Sequence, residues 1–275
     1  MKQSYNKSLA GLLPAASQAG LSGLTLFKHG RTKELYDLGE TLLVVHTDRV
    51  AGGPGSEERI IPGKGQVVNQ MSAYWFQRLR EVFPNHLVSA ELCDFPESCQ
   101  AHAEYLEGRS MLVKKATPLP VKCLVRGYLT GAGWQEYQTT GGMAGTRLPS
   151  GMLESQRLPV PLFVPDIEGA AGEAGFASLE ALYGKVIAEK LRSAALHLYF
   201  KAWKIARYRG LLIAESSFEF GLHEGSLLLI DECITPYTSH FWPLESYQSG
   251  GPLPALDPAG LLACDFSRPF PHLRA

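Results

Sequence analysis

The sequence predicts an α+β fold built on antiparallel sheets. Three observations lead there: short alternating apolar segments bounded by glycine clusters, two longer segments with helical spacing, and a pair of β-patterned segments late in the chain that flank a short turn.

Residues 1–23 are rich in Ser, Ala, Gly and Leu without sustained periodicity and read as a tail or a short docking element. From Leu24 the pattern changes. Segment 42–46 alternates between Gly39 and the glycines of 52–55, as short antiparallel strands joined by turns do. In 67–83, Val68, Met71, Trp75, Phe76 and Leu79 recur at helical spacing until Pro84 stops the pattern, which predicts an amphipathic helix packed on the sheet. Segments 111–113 and 121–125 read as strands, with a turn at Pro118 and Pro120 between them. The stretch 141–175 carries Pro149, Pro159, Pro161 and Pro165 and reads as loop around a cleft. The strongest helix is 185–209, where Val186, Ile187, Leu191, Ala194, Leu198, Ala202 and Ile205 form one stripe and Gly210 supplies the stop. Strands 211–221 and 227–232 around the turn 223–226 predict a β-hairpin, and the Pro- and Gly-rich tail from Gly250 reads as a surface wrap.

At 275 residues and 45% hydrophobic content the chain can bury a sizeable core, which excludes disorder as its dominant state. Twenty-six basic against 27 acidic residues leave a net charge of −1, so no global field favours a nucleic acid polymer or a membrane surface. Any anionic ligand must be held by a few local cations. The cysteines at 93, 99, 123, 233 and 264 are odd in number and scattered, without metal-ligand spacing, as reduced thiols of a cytosolic protein would be. The apolar run 9–13 is too short for a membrane span, and a cytoplasmic location is expected.

On the first strand of the hairpin Glu215, Ser217, Glu219 and Gly221 share one face, because side chains alternate with a period of two. A turn centred on Gly225 would set Glu219 opposite Asp231, at a cross-strand separation of roughly 5 Å. That pair reads either as a Mg²⁺ site completed by nucleotide phosphates or as a solvated acidic face with Lys or Arg partners. The turn His29-Gly30-Arg31-Thr32-Lys33 offers two cations to a polyphosphate or to water. Gly63-Lys64-Gly65 has glycine-rich phosphate-loop character without Walker spacing. Arg126 followed by Gly127, Gly131 and Gly133 suits a phosphate monoester, or else a glycine-rich turn whose arginine pairs with a carboxylate. No Ser-His-Asp order, HExxH or nucleophile elbow is present, and no residue is assigned as catalytic. Phe241, Trp242 and Tyr247 read as packing.

Several blocks resemble the SAICAR synthetase family in order and spacing: HGRTKELYDL, HTDR, IPGKGQVVNQMSAYWFQRL, PNHLVS, LVKKATPLPVKCLVRGYLTGAGWQEY, ESSFEFG, LLLIDECITP and FWPLESY, together covering about 26–248. The resemblance implies a two-lobed fold related to kinases and ATP-grasp enzymes, with a small antiparallel lobe at 24–115, a larger α+β lobe at 116–275 and the hairpin 211–232 lining the cleft between them. It implies ATP and Mg²⁺ as cofactors and a C–N ligation in which a carboxylate on an imidazole ribonucleotide is phosphorylated and then attacked by an amine. Arg31, Lys33, Lys114, Glu219 and Asp231 match the family's nucleotide and Mg²⁺ positions. Arg126 matches the arginine that grips the substrate phosphate, beside Gly131 and Ala132.

The substrate half departs from the family pattern. Ala51-Gly52-Gly53-Pro54 stands for SAFD, Lys122 for a glutamate, Ala132 for a serine, Glu215 and Ser217 for an Asp and a Lys, and Tyr237 and His240 for an Asp and an Arg. The family's later lysine falls near Glu168, and its HD pair is missing around Glu173-Ala174-Gly175. These reversals predict a member repurposed for nucleoside specialised metabolism, such as coformycin-type ring formation, acting on a purine-like or imidazole nucleotide without adding aspartate. The alternatives are the housekeeping phosphoribosylaminoimidazole-succinocarboxamide synthase of purine biosynthesis and a non-catalytic nucleotide-binding partner of another biosynthetic enzyme. The family also implies a homo-oligomer.

Overall fold

A computed structural model describes residues 20–50, 59–168 and 175–256. The chain divides into two compact units, one comprising residues up to Gln77 together with His86–Ala116, the other Arg78–Asn85 together with the chain from Thr117 onward.

The first unit is a five-stranded antiparallel sheet of β1 (Thr25–His29), β2 (Lys33–Asp37), β3 (Thr41–His46), β4 (Leu87–Ser89) and β5 (Ser110–Lys114), ordered β1-β2-β3-β5-β4. Strand β3 is central and buried along Leu42, Leu43, Val44 and Val45, as its unbroken apolar run requires. Helix α1 (Lys64–Leu79) buries the expected stripe Val68, Met71, Trp75, Phe76 and Leu79. It lies close on the sheet: Asn69 donates to the carbonyls of Gly108 and Ser110 at 3.0 and 2.9 Å, and Gly65 sits against the His46 carbonyl where a β-carbon would not fit. The helix starts and stops earlier than its periodicity suggests, because 80–83 turn back toward Leu79 ahead of Pro84.

The second unit holds a five-stranded antiparallel sheet of β6 (Thr117–Tyr128), β7 (Arg157–Ile167), β8 (Leu211–His223), β9 (Ser226–Ile230) and β10 (Ser239–Pro243), ordered β7-β6-β8-β9 with β10 also on β8. Two helices, α2 (Gly131–Thr140) and α3 (Phe176–Tyr208), complete it. Tyr199 of α3 donates to the carbonyl of Ile213, and Trp203 to the hydroxyl of Tyr128, fixing α3 on the sheet.

Four expectations need correction here. Pro118 and Pro120 do not form a turn; they lie in the first residues of β6, where a missing N–H removes little of the ladder. The segment 141–175 contains the eleven-residue strand β7, whose prolines are tolerated because β7 is the sheet edge. The glycines after Arg126 do not extend a turn, since Gly131 opens α2. The expected helix 185–209 is present, set off by Gly184, whose φ of 76° and ψ of 158° are not helical, from a further helical stretch that begins at Phe176; Val186, expected in its buried stripe, is exposed. The 1–19 tail, Ala51-Gly52-Gly53-Pro54, Glu173-Ala174, Cys264 and the end of the Gly250 tail lie outside the described residues. Among the described residues no helix is long and apolar enough to cross a membrane. Cys99, Cys123 and Cys233 are buried, and burial pushes each thiol's pKa up.

Candidate functional site

The polar residues of the second unit gather on β8. Glu215, Ser217 and Glu219 are partly buried on one face while Ser216, Phe218 and Phe220 are buried on the other, so the strand separates a polar surface from core. Glu215 pairs with Arg126 on β6 and with His240 on β10, placing the three residues in one row across three strands. Its Oε2 lies 3.3 Å from Arg126 Nε, and its Oε1 lies 2.9 Å from His240 Nδ1. Burial pushes the Glu215 carboxyl up, but the hydrogen bond from His240 and the charges of His240 and Arg126 outweigh it and hold the carboxyl below its usual range. The same hydrogen bond raises His240 against the opposing pull of burial and Arg126.

Around this row the loop after β9 is cross-braced by hydroxyls. The backbone carbonyl of Thr238 accepts from Ser217 N at 2.7 Å and from Ser217 Oγ at 3.3 Å. Thr235 Oγ1 donates to the buried Glu232 at 2.9 Å and accepts from the Tyr237 amide at 3.2 Å. Burial and the Glu232 charge push the Tyr237 phenol up to about 12, so it stays a neutral donor. Ile234 holds a φ of 52°, a costly conformation for a β-branched residue that the surrounding bonds sustain.

The hairpin register corrects the expected carboxylate pair. Glu224 and Gly225 both have positive φ, 49° and 75°, and form a two-residue loop closed by His223 and Ser226. Glu219 therefore faces Ile230, and Asp231 lies one residue beyond β9 at a φ of 67°. The residue opposite Glu219 on β6 is Lys122, whose Nζ is 3.8 Å from Glu219 Oε1. Lys122 was legible as a departure from the family but not as a partner, because the prolines hid the start of β6.

Arg126 ends in a tight place. Its side chain is 7% exposed, and Nη1 lies 2.9 Å from where a β-carbon on Gly133 would stand, so the guanidinium rests on the first turn of α2. Gly131, Ala132 and Gly133 open that helix after Thr130, which makes no side-chain cap. The first-turn amides have no intrahelical acceptor, so they and Arg126 form a positive locus suited to an anion.

The remaining predicted positions lie on the first unit. The turn between β1 and β2 is closed by Gly30 N donating to the Lys33 carbonyl at 2.9 Å, and buried Arg49 braces it by donating to the carbonyls of Gly30 and Arg31 at 2.7 and 3.2 Å. Arg31 is exposed on this turn and Lys33 begins β2. Lys114 pairs with Thr41 while Lys33 pairs with His46, so the two lysines stand at opposite ends of β3, roughly 17 Å apart along the strand. Lys64 is not a phosphate-loop lysine: it is buried, donating to the carbonyls of Thr47 and Arg49 at 3.0 and 2.7 Å.

The implied Mg²⁺ would find hard oxygen donors in Glu219 and Asp231. Among the described residues no group of three or more His, Cys, Asp or Glu could hold a metal alone. Two carboxylates would leave the ion's other positions to nucleotide phosphates and water.

The fold and these residues accord with an ATP-dependent ligase of the C–N bond-forming class. The SAICAR synthetase profile matches residues 26–258. A phosphoribosylaminoimidazole-succinocarboxamide synthase of Geotalea uraniireducens is 49% identical over 238 residues, 85% of this chain and 80% of that protein. Its counterpart in Thermodesulfovibrio yellowstonii is 43% identical over 243 residues, 87% of this chain and 83% of that one. The SAICAR-synthase of Saccharomyces cerevisiae, solved in complex with SAICAR, superimposes with a TM-score of 0.78 at 33% identity, covering 88% of this chain and 84% of that one. This chain belongs to the SAICAR synthetase family, whose members use ATP with Mg²⁺.

Proposed function

We propose that this chain performs the phosphoribosylaminoimidazole-succinocarboxamide synthase reaction, joining the amine of aspartate to the carboxylate of a phosphorylated aminoimidazole ribonucleotide. The observation that supports it most is the position of Arg126, a buried guanidinium laid on the first turn of α2 beside the polar face of β8. That locus would take the ribonucleotide phosphate, with the amides of Gly131 and Ala132 beside it. Ser217, Glu215, Tyr237 and His240 would line the same substrate site. Arg31, Lys33 and Lys114 are the cations offered to ATP, and Glu219 and Asp231 the ligands offered to Mg²⁺. Bound ATP with Mg²⁺ would supply the phosphoryl group that activates the substrate carboxylate as a mixed anhydride, releasing ADP, so that phosphate leaves when the amine forms the C–N bond; the side chains position reactants and offset charge.

The housekeeping reaction is preferred to coformycin-type ring formation because relatives 43 to 49% identical over more than four fifths of this chain carry the housekeeping name. One observation favours a second reading in which the amine is not aspartate: Lys122 occupies the place opposite Glu219 and an imidazole the place opposite Glu215, so the charge pattern differs from the one the family pattern predicts. ADP release with Mg²⁺-ATP and the carboxylated aminoimidazole ribonucleotide decides between them. Release that requires aspartate supports the first reading, release with other amines or purine nucleotides the second, and ATP binding without release a non-catalytic partner.

A further inference from the structure

The row Arg126, Glu215, His240 carries a charge that depends on one proton. Glu215 engages Arg126 with one oxygen and His240 with the other, so one carboxylate bridges two donors from different strands. With a neutral imidazole the guanidinium and carboxylate cancel, and the row has no net charge to offer an anion. With a protonated imidazole the row gains one positive charge at its exposed end, since the His240 side chain is 52% exposed while that of Arg126 is 7% exposed.

The geometry fixes which ring nitrogen is available. Nδ1 is held by Glu215, and Nε2 has no hydrogen bond among the described residues. Nε2–H is therefore the ring donor left for an incoming oxyanion, while Glu215 holds the imidazole and the guanidinium on either side of it in one row.

We propose that His240 is a proton-gated anion-binding residue: protonated, it joins Arg126 in holding the substrate's phosphate monoester, and neutral, it releases that grip, so that substrate affinity falls as pH rises. The identity of the anion rests on the functional reading above, in which Arg126 takes the ribonucleotide phosphate. The charged groups acting on the ring are Glu215 from β8, which favours its protonated form, and Arg126 from β6, which opposes it, with burial also opposing. The hydrogen bond to Glu215 prevails, so the gate operates above the usual histidine range.

The test uses the full chain and ribose 5-phosphate as probe, with dissociation constants measured by calorimetry from pH 6.5 to pH 9. The probe's own second ionisation, near pH 6, makes it more anionic over the lower part of this range and so works against the expected trend. Affinity should fall by roughly tenfold across the range, the scale of one charge-assisted hydrogen bond. His240→Gln should bind weakly at every pH, and His240→Arg tightly at every pH. A proton NMR titration of the unaltered protein gives an independent reading: the His240 ring signal should titrate above the ordinary value and move further up when ribose 5-phosphate is added. Affinity that is flat with pH, a fall that persists in His240→Gln, or no binding of ribose 5-phosphate would each overturn the gate. Aspartate-dependent ADP release alongside flat phosphate binding would remove the gate and leave the ligase reading standing. A pH-gated affinity without aspartate-dependent release would do the reverse.

Discussion

The hydroxyl of Tyr199 occupies the space that a β-carbon on Gly127 would need. That hydroxyl is spent on the Ile213 carbonyl at 2.7 Å, so it cannot swing away without leaving a buried acceptor unpaired. Gly127→Ala should therefore destabilise the protein by about 1–3 kcal/mol, the usual range for overpacking. Urea unfolding measures it, and adding Tyr199→Phe should recover part of the loss; a double variant no more stable than Gly127→Ala would show that the obstruction lies elsewhere.

Asp48 and Arg109 form an ion pair at 3.3 Å with both side chains fully buried, and Asp48 also accepts from the Gly65 amide at 2.9 Å. Removing the carboxylate strands a charge in the core. Asp48→Ala should cost about 3–5 kcal/mol, read from the same unfolding curves, whereas a loss below 1 kcal/mol would mean that water reaches Arg109.

Lys122 and Glu219 face each other on a solvent-facing pair of strands, with the lysine side chain 60% exposed. Lys122→Glu should change stability by no more than about 1 kcal/mol, because exposed pairs contribute little. It should nonetheless lower the Mg²⁺ concentration needed for half-maximal ATP binding, since a second carboxylate replaces the ammonium beside Glu219. An unchanged or raised Mg²⁺ requirement would remove Glu219 from the list of metal ligands.

The contact between Glu215 and His240 gives stability a defined pH window. His240 is raised above its ordinary 6.5, so its contribution is complete below 6.5 and disappears as pH climbs through the raised value. Glu215 is lowered beneath its ordinary 4.5, so its contribution is complete above 4.5 and disappears as pH drops through the lowered value. Both are complete between 4.5 and 6.5. Unfolding midpoints of the protein and of Glu215→Gln should differ most in that interval and draw closer at higher pH as the His240 share is lost, while the Arg126 contact keeps them apart; equal spacing at all pH values would mean that the pair does not couple to folding.

Local patterns made much of the fold legible. The stripe of α1, the hairpin arms and the stop at Gly210 all follow from spacing and turn chemistry in a single segment. What stayed hidden depended on neighbours far along the chain. Prolines in β6 and β7 look like breakers until one knows that they fall at a strand's start and on a sheet edge. The carboxylate register was missed by one residue because Glu224, an unusual occupant of a left-handed turn position, makes the loop two residues long. For the site, the residues Arg126, Glu215 and His240 could each be singled out from the resemblance, yet their row exists only because β10 returns to pair with β8. Lys64 misled for the opposite reason: a lysine between glycines suggests phosphate, and only tertiary structure shows its ammonium committed to two carbonyls.

Segment Arg78–Asn85 belongs with the second unit although both its flanks belong with the first. Within that segment Pro84 accepts from the Leu229 amide at 2.9 Å, and Asn85 bridges to Leu229 in parallel. During translation the segment leaves the ribosome about 140 residues ahead of its partner strand, a wait on the order of ten seconds at ordinary elongation rates. Throughout that interval Phe83 lacks Phe220, whose ring it later meets edge-on. The nascent chain thus carries an apolar splice in waiting, and chaperone capture during synthesis is best sought there.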